Sequence, residues 1–482
     1  MTSVKKNFFY SSFITVSNYI FPLLTYPYVS RVLGVTNIGI CNYVDSIINW
    51  FSLFSMMGIG IIGIREIAGT NLETRKKTFS SLLVLNFLTT LVALIGLVIC
   101  VFALPKLHDY KNLLFVGMIK LISNVFVMDW LYKGLEDFKY ITKISITSKF
   151  LYVICVFIFV RDVDDYPIYY ILSVSMIFFT AVFNSIHSRS IVSFSFKELS
   201  LNKYLRPLLL LGFYAFFTSM YTSFNVAFLG YTNGPEQVGY YTTSNKLFSV
   251  IIAFFTAFTG VMLPRMSSLV AEDKMEQFKV MLNKSLMALL SFSVPIIIFS
   301  VIYSPSIVKL FTGNGFEGAY TPSRIVMPLM LIIGLEQIYI IQVLMPLKKD
   351  SSILINSFIG AGVGVFFNFL LVPYSGAIGS SITWALSELS VLIASIFCVH
   401  RYLKVPFPFY IIVKTVICYL PLFVLLVVIY KYVLGVNFLL EMIISFAIMA
   451  IYAFIVEFKL MRNEMLISVF ERFKVIVKDK SI

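Results

Sequence analysis

Long apolar runs separated by short polar connections dominate the chain. An apolar run of about 20 residues crosses the hydrocarbon core of a bilayer as a helix. Reading for such runs predicts fourteen spans, near 8–30, 38–62, 79–103, 112–133, 144–161, 167–186, 207–229, 240–263, 281–303, 321–345, 352–372, 377–399, 407–430 and 437–459. The longest connections are 187–206, 265–280 and 304–320, and none has room for a soluble domain. The stretch MSSLVAEDKMEQFKVML reads as a charged amphipathic helix on the cytoplasmic surface or a solvated linker helix. The first apolar run, after MTSVKKNFFY, is too long for a signal-peptide core and lacks a small-residue cleavage site, so it reads as a retained span.

Composition narrows the class. The 482 residues are 59% hydrophobic and 13% charged, with a mean hydropathy of +0.90, whereas a soluble domain holds roughly 25% charged residues. The 38 Lys+Arg against 24 Asp+Glu form short clusters between apolar runs and no continuous patch, which excludes a nucleic-acid partner and makes them topology signals. With the N-terminus inside, the outer segments hold only Arg31, Lys106, Lys111, Arg161, Lys309, Arg324 and Lys431. Lys120, Lys246 and Lys414 lie within spans, and every other basic residue falls in or beside an inner segment. That bias predicts an even number of spans with both termini cytoplasmic. The five cysteines and three histidines are scattered without CxxC or HxxxH spacing, so no metal site, cofactor or disulfide framework is expected.

An internal repeat organises the spans. IGICNYVDSIINW (38–50) lies on VGYYTTSNKLFSV (238–250) without a gap, matching Gly39 to Gly239 and Asp45 to Asn245, and Arg65 matches Arg265 beyond it. An offset of 200 residues, six spans, keeps the orientation, so the repeat is parallel, about an axis along the membrane normal. The expected fold is an all-α polytopic membrane protein with two parallel-repeat six-helix lobes and two extra C-terminal helices. Its parts are an N-terminal lobe (1–206), a C-terminal lobe (207–402), and the last two spans with a cytoplasmic tail (403–482). Transporters of this kind hold substrate between the lobes and alternate access by rocking them.

Six motifs in order along this frame carry a family resemblance. YPYVSRVLGVTNIG, IREIAG, LPRMSSL, LFTGNGFEGA, QVLMPLKKD and VPYSGAIGSSITWALSE resemble the Wzx-type polysaccharide and O-antigen flippases of the multidrug/oligosaccharidyl-lipid/polysaccharide exporter superfamily, over about residues 8–460. The resemblance implies a transporter and not an enzyme, in the bacterial cytoplasmic membrane. It would move undecaprenyl-pyrophosphate-linked O-antigen or capsule repeat units from the inner to the outer leaflet, ahead of polymerisation outside. It also implies a cationic cavity and a lipid-tail groove on the last two helices. The repeat-unit sugars, the driving force (protons, sodium or membrane potential) and a polymerase partner are left open.

Such a cargo carries a pyrophosphate, so charges within spans are the first candidates. Glu336 and Glu388 lie too deep to snorkel and read as proton or cation coupling groups, sugar contacts, or a buried structural pair. Asp45 and Lys246 sit at matching depth in the two copies, which suggests an ion pair that releases Lys246 to pyrophosphate; snorkelling of Lys246 to the outer headgroups is the alternative. Lys120 shares its face with Asn124. Arg31 and Arg324 at outer span ends read as exit contacts or interfacial anchors. Asp129 is expected to pair with Lys133. A multidrug or cation antiporter of the same superfamily is the main alternative function. A polytopic glycosyltransferase or polymerase is disfavoured, because the one acidic outer cluster, RDVDDYP, is too short to frame a sugar-transfer site and no GxxxxGK[ST] loop is present.

Overall fold

Apolar sequence with few interruptions propagates as helix, because a backbone in lipid must satisfy its own hydrogen bonds. The computed structural model describes residues 3–196, 199–220, 222–432 and 438–461; the expected cytoplasmic tail from residue 462 lies outside them. Its helices are α1 (Ser3–Met56), α2 (Ile59–Ala68), α3 (Leu72–Ala103), α4 (Pro105–His108), α5 (Lys111–Val127), α6 (Asp129–Gly134), α7 (Phe138–Phe159), α8 (Tyr166–Ile191), α9 (Leu201–Met220), α10 (Ser223–Asn233), α11 (Pro235–Ala271), α12 (Met275–Ile302), α13 (Ser304–Thr312), α14 (Tyr320–Val326), α15 (Leu329–Gln337), α16 (Asp350–Leu403), α17 (Phe409–Tyr432) and α18 (Phe438–Ile455), with π-helical turns at Ile338–Leu344 and Val456–Leu460. Eleven helical stretches among the described residues are long and apolar enough to cross a membrane. Their outward faces are apolar too, as Val92, Ile95, Ile99 and Phe102 on α3 illustrate. The molecule is an all-α polytopic membrane protein.

Two of these stretches are longer than one crossing needs. At 1.5 Å per residue a 54-residue helix would run about 80 Å, more than twice the hydrocarbon core. α1 and α16, each 54 residues, are broken at Gly34 (φ 73, ψ 174) and Gly376 (φ 53, ψ −127). A residue with a Cβ would be strained at either φ. At Gly376 the chain doubles back tightly: a Cβ on Gly379 would lie 2.6 Å from the carbonyl oxygen of Leu371. The span expected at 207–229 is two helices, α9 and α10, with Thr222 outside helical geometry (φ −110, ψ −86). Ser219 Oγ, near the end of α9, donates to the Phe216 carbonyl at 2.7 Å. The charged stretch 266–282 is no separate surface helix. It is the end of α11 and the start of α12, joined by a tight turn in which Asp273 has φ 55.

The chain divides into two compact units. Unit 1 takes the chain up to Thr242 together with Thr312–Phe316 and Gly364–Ser380; unit 2 takes Thr243–Phe311, Glu317–Val363 and the chain from Ser381 on. Within unit 1, one apolar cluster gathers Tyr43, Val44, Ile48, Leu114 and Tyr170, and a second gathers Ile62, Phe79, Trp130, Leu131 and Tyr132. Glycines allow the close helix approaches: a Cβ at Gly230 would meet the Tyr43 ring at 2.0 Å, and one at Gly63 the Trp130 indole at 2.7 Å.

The helices matched by the repeat cross inside unit 1. A Cβ on Gly39 would fall 1.8 Å from the Pro235 carbonyl oxygen and 3.0 Å from the Gly239 nitrogen; one on Gly239 would fall 2.3 Å from the Val35 carbonyl oxygen. Residue 35 stands to 235 as 39 stands to 239, so the contact is its own image, as a two-fold axis produces. Asn42 Nδ2 donates to Thr242 Oγ1 at 2.9 Å, joining two further residues 200 positions apart. The Gly364–Ser380 segment is tied in by Asn233 Nδ2 to the Pro373 carbonyl (3.2 Å), the Ala377 N–H to Gln237 Oε1 (3.0 Å) and Asn225 Nδ2 to the Ser380 carbonyl (3.0 Å).

In unit 2, α12 is the post against which α15, α17 and α18 pack. Polar pins hold α17 and α18 to it. Tyr303 OH meets Ser445 Oγ at 2.6 Å, Ser291 Oγ donates to Glu457 Oε2 at 2.5 Å, and Tyr419 OH donates to Glu457 Oε1 at 3.1 Å.

Candidate functional site

Unit 1 carries a charged cluster in the middle of its helices. Asp45 and Asn49 lie one turn apart on α1, and Lys120 reaches them from α5. Lys120 Nζ donates to Asp45 Oδ1 at 2.5 Å and to Asn49 Oδ1 at 2.9 Å, while Asn49 Nδ2 donates to Asp45 Oδ2 at 3.0 Å. One turn along α5, Asn124 Nδ2 donates to Ser52 Oγ at 3.3 Å. Lys120 is largely buried and the Asp45 carboxylate is 34% exposed, so this is a partly desolvated ion pair whose remaining lone pairs are met by an amide. The carboxylate expected opposite Lys246 is thus held by a lysine of its own unit. Lys246 lies half-buried on α11 in unit 2.

Below the cluster a cavity of about 300 Å³ opens between α1, α5, α7 and α8, with Asn124 in its wall. Lys149, Asp129, Lys133, Asn18 and Asn184 also line it. Lys149, grouped by sequence with the inner-flank cations, sits in the middle of α7 and donates to Ser17 Oγ at 2.9 Å and Asn18 Oδ1 at 2.5 Å. Asp129 and Lys133 pair at 3.4 Å as expected.

Unit 2 holds a different arrangement. Glu388 on α16 is buried and accepts from Trp384 Nε1 at 2.8 Å. Glu336 on α15 faces it closely enough for the two carboxyl groups to interact directly, and Glu336 Oε2 is buried without a hydrogen-bond partner among the described residues. No ion pair joins either group to a lysine or arginine among the described residues, so the pair needs a proton or a small cation between its oxygens. The neighbouring Gln337 is fully engaged, donating to Thr256 Oγ1 (3.0 Å) and accepting from Thr259 Oγ1 (3.1 Å). Gln342, in the π-helical turn, has both amide atoms buried without a partner among the described residues.

The arginines expected at outer span ends bond to nearby carbonyls. Arg31 donates to the Pro27 carbonyl at 2.6 Å, and its side chain lies against Gly313 in unit 1; Arg324 Nε donates to the Val301 carbonyl at 3.2 Å in unit 2. Both are exposed. RDVDDYP forms a capped turn in which Asp165 Oδ2 accepts from the N–H groups of Arg161 and Asp162, both at 2.8 Å. At the α11–α12 turn, Glu272 accepts from Lys274 Nζ at 2.6 Å and Ser268 Oγ at 2.7 Å, which holds its carboxyl below the ordinary 4.5. Sequence reasoning passed over Lys149, Glu441 and Glu457. A charge ten or more residues inside a helix flags the first, and both glutamates are buried on the last helical stretch.

A family model described as "Polysaccharide biosynthesis protein" matches residues 4–270, and one described as "MatE" matches residues 211–370. A "Putative O-antigen transporter" of Escherichia coli (strain K12) is 26% identical over 398 residues, covering 80% of this chain and 94% of the relative. A protein of the same description from Shigella dysenteriae is 23% identical over 399 residues, 81% of this chain and 98% of the relative. Among solved structures, the fold matches "Lipid II flippase MurJ, inward closed conformation" with a TM-score of 0.72 at 17% identity, covering 93% of this chain and 99% of that one. It also matches an inward-facing MATE family multidrug transporter of the MOP superfamily, with a TM-score of 0.63 at 12% identity over 80% of this chain and 94% of that one.

Proposed function

The chain belongs to the polysaccharide biosynthesis protein family, and from that premise we propose that it flips lipid-linked oligosaccharide. The cargo is an undecaprenyl-pyrophosphate-linked O-antigen or capsule repeat unit, moved from the inner to the outer leaflet of the bacterial cytoplasmic membrane. The observation that carries this reading is the similarity, over four-fifths of this chain and nearly the whole relative, to proteins described as O-antigen transporters. Lysines at mid-helix depth, Lys120 and Lys149, suit an anionic headgroup that must leave water on its way across.

The finer architecture follows the same reading. Breaks at Gly34 and Gly376 and the α9–α10 pair support fourteen crossings with both termini cytoplasmic. The self-imaged Gly39–Gly239 contact supports two parallel-repeat lobes with two added C-terminal helices. Alternating access then rocks the lobes. Glu336 and Glu388 are the coupling pair for a proton or sodium ion, and Arg31, Arg324 and Lys246 serve passage of the pyrophosphate.

A multidrug or cation antiporter is the second reading, favoured by the MatE match over residues 211–370, which includes Glu336. Deleting the gene in its host separates the two. The flippase reading expects undecaprenyl-pyrophosphate-linked units to accumulate on the cytoplasmic side and surface polysaccharide to be lost, with rescue by the wild-type gene. Normal surface polysaccharide with new sensitivity to cationic drugs would overturn it in favour of the antiporter.

A further inference from the structure

The cavity of unit 1 has an electrostatic and hydrogen-bonding imbalance. Of its charged groups, Lys133 and Asp129 offset one another at 3.4 Å. Lys149 has no carboxylate within ion-pair distance among the described residues, so the cavity keeps one net positive charge. An ammonium has three N–H donors; two orient Lys149 onto Ser17 Oγ and Asn18 Oδ1, and the third has no acceptor among the described residues. Asn184, also in the cavity lining, is 1% exposed, and its Nδ2 is fixed on the Val127 carbonyl at 2.5 Å. That bond turns Asn184 Oδ1 into a buried acceptor with no donor among the described residues. A cation without a counter-ion at this depth is costly, as is a buried carbonyl oxygen left unpaired.

A ligand that answers both demands carries an anionic oxygen for Lys149 and hydroxyl donors for Asn184. The cavity, about 300 Å³, is at the lower end of small-molecule sites, room for one such headgroup and not for a long oligosaccharide. We propose that the α1–α5–α7–α8 cavity is a binding site for a phosphorylated sugar, with Lys149 the phosphate contact and Asn184 a hydroxyl contact. This rests on the flippase reading for its biological ligand, the sugar nearest the pyrophosphate of the lipid-linked cargo. The site chemistry stands on the residues alone. Asn124 forms part of the cavity wall and bonds Ser52 one turn from the Lys120–Asp45 pair, so a headgroup leaving Lys149 meets a further polar step.

Calorimetric titration of the purified full chain in nanodiscs tests the site, with glucose 1-phosphate, glucose, and a short-chain prenyl-pyrophosphate-linked hexose as probes. Wild type is expected to bind both phosphorylated probes and not glucose. Lys149→Met should weaken phosphorylated-probe binding by at least about tenfold, and Lys149→Arg should keep it within about threefold. A second measurement keeps wild-type Lys149: in a cysteine-free background, Ser145→Cys in the cavity wall is labelled by a charged thiol reagent, and glucose 1-phosphate should slow that labelling. Equal binding by wild type and Lys149→Met, or no protection of Ser145→Cys by either phosphorylated probe, overturns the site. Binding of the prenyl-linked probe alone would assign the site to the lipid-linked headgroup; equal binding of both probes would assign it to the sugar phosphate itself. If wild type binds through Lys149 but does not translocate the prenyl-linked probe in liposomes, the site stands and the flippase reading falls. Translocation with binding indifferent to Lys149 has the opposite meaning.

Discussion

Unit 1 and unit 2 bury charge in opposite ways. In unit 1 a lysine closes on a carboxylate, with Asn49 bridging, and a second lysine faces an open cavity. In unit 2 two carboxyl groups face one another with an indole N–H as their fixed donor. The repeat makes the contrast sharper, because Asp45 has Asn245 as its counterpart, and Asn245 Oδ1 is buried with no partner among the described residues. At these two clusters one helical frame has thus diverged, offering positive charge in unit 1 and oxygen in unit 2. The first suits a phosphate and the second suits a proton or small cation, which is the division between cargo and coupling proposed above.

Exchanging the matched positions should break this contrast most severely. Asn245→Asp puts a carboxylate where none of the observed bonds provides a counter-ion, and is expected to cost about 3 kcal/mol or more; Asp45→Asn, which leaves Lys120 with two amide oxygens, should cost less. Thermal unfolding in detergent ranks the two, and equal losses would mean that the units handle charge alike. Next in size, Lys120→Met strands Asp45. Breaking a fully buried pair costs about 3–5 kcal/mol, and a carboxylate 34% exposed brings that to about 2 kcal/mol after allowing for solvent screening. The Lys120→Met, Asp45→Asn double variant should regain most of the loss, and a double variant no better than the single would deny the pairing. Smaller still, Glu388→Gln keeps an acceptor for Trp384 Nε1 and should change stability by less than about 1 kcal/mol, while abolishing coupled transport at saturating substrate.

The surface pair at the α11–α12 turn provides the control. Because Lys274 and Ser268 hold the Glu272 carboxyl below 4.5, its contribution is present above that value and fades as the pH falls through the depressed one. Glu272→Gln should lower the thermal midpoint slightly at neutral pH, where the contribution is present, and flatten its decline below 4.5. A decline below 4.5 as steep as that of wild type would show that the Glu272 pair contributes nothing to the closing of α11 onto α12.

The sequence made helices, their approximate places and the repeat readable, because apolar runs in lipid have one backbone solution. Gly39 and Gly239 were legible as matched residues, and the structure shows why glycine stands there: each meets the other copy's backbone. Helix faces were far less legible. A span that is apolar all round carries little periodicity to say which side meets a neighbour, so Asp45 was matched with Lys246 by depth alone, and the approach of Lys120 to Asp45 from α5 was not legible. Lys149 was missed for a related reason. Its helix begins at Phe138, several residues before the apolar run near 144, and that offset moves the lysine from the expected inner flank to the middle of the helix. The α9–α10 break was hidden inside an unbroken apolar stretch.

The most direct test of the account is translocation in proteoliposomes. Undecaprenyl-pyrophosphate-linked oligosaccharide is placed in both leaflets with the purified chain, and the fraction reachable by an impermeant sugar-oxidising reagent is followed with time. The account predicts that wild type makes the inner pool reachable and that Lys149→Met slows this by about tenfold or more at equal reconstitution. No transfer by wild type, alongside exchange of a cationic dye against protons in the same vesicles, would contradict it.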